Sequence, residues 1–323
     1  MEAYTDFAEV YDELMDDTPY EEWCGFLMEV FRRYGVDDVS KDAPERGTCA
    51  KSGKVMPESE DCTINDGSVT YVNLQQERNT VLDLGCGTGT LTELLARKGF
   101  DMIGVDNAEE MLRIAMEKRE RLGLDILYLL QDMRELELYG TVGAVVSVCD
   151  SLNYLLEEED IVQTFSRVND YLYPQGIFVF DFNTVYKYRT VIGDATIAEN
   201  REDCSFIWEN YYHEDEEINE YDLTVFVAEE RNERREDGLA ADVAERTMYG
   251  QTAQRFRRFQ EVHYQRGYRL EQMKALLLQA GLDFVEALDA DTHETVTEES
   301  ERIYVVARKG AKTTANQVVT VGE

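Results

Sequence analysis

Apolar residues recur at helical spacing through the first 35 positions. Phe7, Val10, Tyr11 and Leu14 mark a short helix, and Trp23, Phe26, Leu27, Val30, Phe31 and Tyr34 mark a second. Thr18-Pro19 separates them; Pro19 suits the first position of the second helix, with Glu21 and Glu22 favourably placed in its first turn. Between residues 36 and 78 the periodicity is lost until Val69–Leu74, and Asp, Ser, Lys, Gly and Pro dominate. A connection that long is unusual inside a compact domain, so the stretch reads as an insertion. From Val81 the pattern predicts strands over 81–84, 101–105, 126–130, 142–148 and 176–181, alternating with helices over 90–98, 108–121 and 157–172. Such alternation predicts a doubly wound α/β fold: a parallel sheet with helices on both faces and ligands at the carboxyl ends of the strands. After a helical stretch over 184–191, the runs 206–211, 221–227 and 245–263 read as strands joined by acidic turns, an antiparallel β insertion covering the pocket mouth. Tyr268, Leu270, Met273, Leu276, Leu277 and Ala280 then mark a helix stopped by Gly281, followed by strands over 283–288 and 302–308 and a frayed tail.

The candidate chemistry gathers at the strand ends. Val81-Leu82-Asp83-Leu84-Gly85-Cys86-Gly87-Thr88-Gly89-Thr90 reads as strand, tight turn and helix start. A dinucleotide fingerprint has G-x-G-x-x-G, but here Thr90 stands at the third glycine position. Asp83, one residue before the glycines, repels a pyrophosphate and attracts an ammonium. This favours S-adenosylmethionine, which has an amine and a sulfonium and no phosphate. Asp106 ends the second strand about 20 residues further on, the separation at which a carboxylate accepts both ribose hydroxyls. Asn107, next to it, is a further cofactor-binding candidate and suits the N-cap of the following helix, ahead of Glu109 and Glu110. Asp132 ends the third strand, and Val145-Val146-Ser147-Val148-Cys149 runs into the polar cluster Asp150, Ser151, Asn153 and Tyr154.

Asp-Leu-Gly-Cys-Gly-Thr-Gly resembles the first motif of class I S-adenosylmethionine-dependent methyltransferases. The segments 145–154 and Tyr171–Asn183 resemble a bacterial, small-molecule branch of that superfamily akin to sugar-amine N-methyltransferases, and the likeness covers most of the chain outside 36–78. One departure is Gln175, where the family usually has glycine in a P-G-G turn. The resemblance implies a Rossmann-like seven-stranded methyltransferase sheet. It divides the chain into an N-terminal helical lid (1–35), the insertion (36–78), a cofactor-binding core (79–194), the antiparallel β insertion (195–266), the returning core (267–310) and a tail (311–323). Tyr4-x-x-Phe7-Ala8-x-x-Tyr11-Asp12-x-Leu14 resembles the family's leading helix, which folds over the cofactor; Tyr4 and Tyr11 then cap the methionine or the acceptor, or are ordinary aromatics. By family position Gly85, Gly87 and Gly89 cradle the cofactor and Met111 packs on the adenine. Asp132 accepts from the adenine amino group, and the Met133 N–H meets the ring. Cys86, Cys149 and Asp150 flank the cofactor, the thiols chiefly filling space. Ser151, Asn153 and Tyr154 face the acceptor, as do Trp208 and Tyr211 if the insertion aromatics (Phe206, Tyr212 and Tyr249 among them) are more than sheet packing.

Methyl transfer from a sulfonium is an in-line displacement, so alignment and exclusion of water are the main requirements. His263, at the end of the β insertion, is the candidate base or orienter among three histidines, with Tyr11 a second catalytic candidate. The expected activity is methyl transfer to a small-molecule N- or O-nucleophile; alternatives are a protein or RNA acceptor, or a non-catalytic S-adenosylmethionine-binding module.

Composition narrows this picture. With 43% hydrophobic residues and four prolines, a packed core is expected. A net charge of −35 makes nucleic acid an unlikely partner despite the basic patch Arg255, Arg257 and Arg258. No apolar run approaches the ~20 residues that span a bilayer, and the amino terminus lacks a leader pattern, so a cytoplasmic monomer or homodimer without membrane contact is expected. Six scattered cysteines, with no C-x-x-C pair and no histidine at ligand spacing, predict free thiols and no metal.

Overall fold

The computed structural model describes Tyr4 and residues 7–36, 62–65, 68–71, 78–229 and 255–310. Helices α1 (Ala8–Leu14) and α2 (Tyr20–Tyr34) lead the chain. Pro19 is the N-cap of α2 rather than its first helical residue, and Gly35, at φ 76°, closes the helix with an N–H bond to Phe31. Within 36–78, β1 (Cys62–Asn65) and β2 (Ser68–Tyr71) form a hairpin; Cys49 lies outside the described residues.

The core alternates as expected: β3 (Thr80–Leu84), α3 (Thr90–Arg97), β4 (Asp101–Asp106), α4 (Glu109–Leu122), β5 (Ile126–Leu130), β6 (Val142–Ser147), α5 (Glu158–Tyr171) and β7 (Leu172–Asn183). The β insertion follows as β8 (Thr196–Asn200), β9 (Cys204–His213), β10 (Ile218–Ala228) and β11 (Phe256–Arg266). The chain then returns through α6 (Leu270–Gln279), β12 (Leu282–Asp289) and β13 (Arg302–Lys309). Seven strands form one sheet in the order β12-β13-β7-β6-β3-β4-β5, parallel except for β13, which runs antiparallel between β7 and β12.

The strands are nearly continuous apolar runs because both faces of this sheet are covered. Val81, Val146 and Val306 point to one side, into a core shared with Leu27, Phe31, Leu95 and Leu112. Their neighbours Leu82, Val145 and Val305 point to the other, against Phe165, Val168, Met273 and Leu277. Strand β7 is longer than the expected 176–181. It reaches back to Leu172, which pairs with Val142 across a register shift, and Gln175 takes the left-handed conformation (φ 71°) that glycine would adopt without strain.

The insertion is a separate four-stranded antiparallel sheet, ordered β11-β10-β9-β8. Its last strand is described over Phe256–Arg266; residues 245–254 of the expected run, with Tyr249, lie outside the described residues, as does the tail 311–323. The inner face presents Tyr221, Leu223 and Val225 to Phe7, Val10 and Leu14 of the leading segment. Helix α1 therefore packs under the insertion, and it also contacts α4 of the core.

Candidate functional site

Strand order reverses at β3, which has β6 on one side and β4 on the other, and the carboxyl ends of these strands open into a cavity of about 1000 Å³. The glycine turn forms its floor. Gly85, Gly87 and Gly89 all have positive φ (82°, 53° and 75°). A Cβ on Gly85 would lie 2.5 Å from Ser151 Oγ, whereas one on Gly87 would meet nothing within 4 Å. The first glycine is thus required by packing against the wall opposite, and the second leaves room beside the cavity.

Asp83 lines this floor and is almost completely buried. Burial pushes its carboxyl up to about 7; a 2.6 Å hydrogen bond from Thr92 Oγ1 opposes the rise and Asp106 adds to it. Asp106 accepts from the Gly87 N–H at 2.7 Å and from the Ala108 N–H at 2.9 Å, so one side chain fixes both the turn and the start of α4. Burial raises its carboxyl, and the backbone N–H groups of Ala108, Gly87 and Asn107 oppose that rise. Asn107 lines the cavity but is not the helix cap. Ala108 occupies that position without a capping side chain, and its own N–H bonds Asp106. Met111 is buried at the cavity wall. Asp132 and Met133 also line it, but the Asp132 carboxylate is held by Arg134 through its backbone N–H (2.9 Å) and guanidinium (2.5 Å) and caps a short turn over Met133–Glu135. Those hydrogen bonds keep its carboxyl below the usual range.

The charge of the lining is one-sided. Asp83, Asp106, Asp132, Glu9, Glu109 and Glu110 face the cavity, while its cation, Arg134, is paired with Asp132 and Asp160. A diphosphate would meet repulsion here, and a group bearing an ammonium and a sulfonium would meet attraction. The donor set therefore fits S-adenosylmethionine and not a dinucleotide.

Beyond Cys86 the cavity is walled by Tyr4, Tyr11, Tyr20, Trp23, Cys149, Ser151 and Tyr154. The leading segment is clamped over it from two sides. Asp12 accepts from Thr88 Oγ1 at 2.5 Å and pairs with Lys118 at 2.9 Å. Glu261 on β11 accepts the N–H groups of Tyr4 (2.7 Å) and Phe7 (3.1 Å), and Tyr4 Oη meets Tyr154 Oη at 2.6 Å. Tyr20 and Trp23 also line the cavity; helical periodicity assigned Trp23 to packing and did not single out Tyr20. Their signal was masked because one helix face serves both the core and the cavity rim.

Five expectations are corrected. Asp150 turns away from the cavity: its oxygens accept from Gln265 at 2.6 Å and Arg302 at 3.0 Å. Asn153 is fully buried and spends its amide on the Asn183 N–H and the carbonyls of Asn183 and Arg266, leaving nothing for a substrate. Trp208 packs between the insertion sheet and α1, in the cluster of Tyr221 and Leu223. Tyr211 is 45% exposed on the outer face, where the alternation of β9 must put a residue an odd number of positions from Trp208. His263 does not line the cavity: it stacks on Tyr221 (centroids 4.8 Å apart, planes 4° apart) and stands behind two wall residues, edge-on to the Tyr4 ring (centroids 5.1 Å apart) and 3.1 Å from Tyr154 Oη through its Nδ1. Its Nε2 lies 3.3 Å from Glu261 Oε2 without making a hydrogen bond.

Among the described residues, no helix is long and apolar enough to cross a membrane. The family described as "Methyltransferase domain" matches over residues 81–176. "Putative methyltransferase GWCH70_2453" of Geobacillus sp. (strain WCH70) is 33% identical over 307 residues, 95% of this chain and 100% of that protein. "Putative methyltransferase YqeM" of Bacillus subtilis (strain 168) is 32% identical over 95% of this chain and 97% of its own length. A solved S-adenosylmethionine-dependent methyltransferase from Clostridium acetobutylicum ATCC 824 superimposes with a TM-score of 0.69 over 96% of this chain and 100% of that one, at 24% identity, a likeness of fold. The chain belongs to the methyltransferase family of these relatives and has the class I S-adenosylmethionine-dependent methyltransferase fold.

Proposed function

We propose that the protein binds S-adenosylmethionine in the acid-floored crevice and transfers its methyl group to a small molecule held beneath the leading helix. The observation that carries this reading is the cavity itself: carboxylates at the ends of β3 and β4 face it at one end, and tyrosines roof it at the other. S-adenosylmethionine supplies the methyl group when bound; the protein's residues bind, orient and exclude water. Asp83 holds the ammonium, Asp106 the ribose hydroxyls, Met111 the adenine face and the Met133 N–H the adenine edge. Cys86 and Cys149 fill space beside the sulfonium. Asp132 reaches the adenine amino group only by sharing oxygens already bonded to Arg134.

The acceptor lies against Tyr11, Ser151 and Tyr154. The clamp formed by Asp12 and Glu261 supports a small acceptor over a polymer, because it draws the leading segment across the cavity. No covalent residue is needed for an in-line displacement. Tyr154, bonded to His263, is the hydroxyl that orients a nucleophile, and His263 acts behind it rather than on the acceptor.

Calorimetry with S-adenosylhomocysteine tests the binding step: Asp83→Ala or Asp106→Ala weakens affinity at least tenfold, about 1.4 kcal/mol. Unchanged affinity in both variants refutes the site. A screen of amines and hydroxylated metabolites for S-adenosylhomocysteine release identifies the acceptor.

A further inference from the structure

Where β6 ends, Cys149 and Asp150 take φ of 75° and 54°, two successive residues other than glycine in the left-handed region. Such a conformation crowds the side chain against its own carbonyl and persists only where the surroundings enforce it. The enforcing group is on the neighbouring strand. Asp181 of β7 is completely buried, and its two oxygens receive the two successive N–H groups, Cys149 at 3.0 Å and Asp150 at 2.8 Å.

Arg302 of β13 provides the counter-charge, 3.7 Å from Asp181 Oδ2 and 3.0 Å from Asp150 Oδ1. Its guanidinium also lies 5.4 Å from the ring centre of Trp23 on the cavity rim. Cys149 and Ser151 line the cavity, whereas Asp150, Asp181 and Arg302 do not. Ser151 Oγ in turn bonds the Gly85 carbonyl at 3.3 Å, which couples this wall to the glycine turn.

We propose that Asp181 is a positioning residue: its carboxylate holds the left-handed turn at Cys149–Asp150, and that turn places Cys149 and Ser151 in the cavity wall against Gly85. Burial raises the Asp181 carboxyl, and the nearby Arg302 guanidinium and the two N–H groups oppose that rise. The role demands two acceptors side by side. An asparagine at 181 has the same shape, but it offers one oxygen and turns an NH2 toward an N–H, two donors face to face. The ligand-affinity part of the test rests on the proposed function; the exchange part does not.

The experiment measures two quantities on the full-length protein and on Asp181→Asn, Cys149→Gly and the double variant. One is S-adenosylhomocysteine affinity by calorimetry, and the other is amide exchange of the peptide spanning 149 and 150 by mass spectrometry. Asp181→Asn is expected to weaken affinity at least tenfold and to speed exchange of the two amides at least a hundredfold. Glycine accepts a left-handed φ without strain. In the Cys149→Gly background the cost of Asp181→Asn in affinity is therefore expected to shrink below threefold.

An equal cost in both backgrounds, or unchanged exchange at 149–150 in Asp181→Asn, overturns the proposal. Should Asp181→Asn not fold, recovery of the native circular dichroism spectrum in the double variant supports it, and a double variant that stays unfolded overturns it. If the wild-type protein binds no S-adenosylhomocysteine, the proposed function fails, and the exchange comparison still decides the role of Asp181.

Discussion

The most informative perturbation is protonation of Asp83. A carboxyl pushed up to about 7 by burial is half neutral near neutrality in the ligand-free protein, and the neutral form attracts no ammonium. Binding the ammonium then requires loss of that proton, so the apparent dissociation constant scales as one plus ten to the power of 7 minus pH. Between pH 8 and pH 5 the factor rises from about 1.1 to about 100, a loss of roughly 2.7 kcal/mol at 1.36 kcal/mol per pH unit. Calorimetric titration of S-adenosylhomocysteine at half-unit steps between those limits reads this slope directly. Asp83→Asn cannot ionise, so it should bind weakly at pH 8 and with a much flatter dependence on pH. Asp106 is also raised by burial, and the variant separates its contribution from that of Asp83. A wild-type affinity constant from pH 5 to 8, or a slope that survives in Asp83→Asn, refutes the reasoning.

The same carboxyl bears on stability with a definite sign. Its folded-state pKa lies above the unfolded value of about 3.9, so the folded chain holds the extra proton; the contribution is full below about pH 4 and is lost as pH rises through about 7. Ligand-free Asp83→Asn should therefore melt above wild type at pH 8, by roughly 2–5 °C, and lose that advantage at pH 4, as thermal scans will show. Gly85→Ala forces a side chain into a left-handed site (φ 82°) and against Ser151 Oγ; S-adenosylhomocysteine affinity should fall more than tenfold in calorimetry. Asp12→Ala releases the leading helix from Thr88 and Lys118, so limited proteolysis should cut within the first 20 residues several times faster and bound S-adenosylhomocysteine should leave several times sooner in stopped flow. Asn153→Ala strands the Asn183 N–H and two carbonyls in the interior; its melting temperature should fall by the equivalent of roughly 2–4 kcal/mol, measured by calorimetric scans.

The doubly wound sheet was legible because its strands are buried on both faces and separated by amphipathic helices, a pattern carried by neighbouring residues. Asp83 and Asp106 were legible for the same reason. Each ends an apolar run, and the end of a strand at the switch point has one environment to face. The polar cluster after β6 was not legible. Residues 149–154 read as one group facing cofactor and acceptor, but a turn with two positive φ values rotates Asp150 toward Arg302, about 150 positions away, and buries Asn153 against Asn183. Such partners are set by tertiary packing, which spacing does not encode. The β insertion shows a reading that spacing does permit. Trp208 and Tyr211 differ by an odd number of positions, so they cannot share a face of one strand. The clamp on the leading helix had no local signature either, because Glu261 and Asp12 acquire their roles from backbone N–H groups and hydroxyls far away in the chain.

The central claim is that carboxylates at two adjacent strand ends select a cationic, phosphate-free cofactor. A crystal structure grown with equal concentrations of S-adenosylhomocysteine and NAD tests it most directly. S-adenosylhomocysteine is expected in the crevice, its amino group at Asp83 and its ribose hydroxyls within hydrogen-bond distance of Asp106. A dinucleotide in that place, or S-adenosylhomocysteine bound elsewhere, would contradict it.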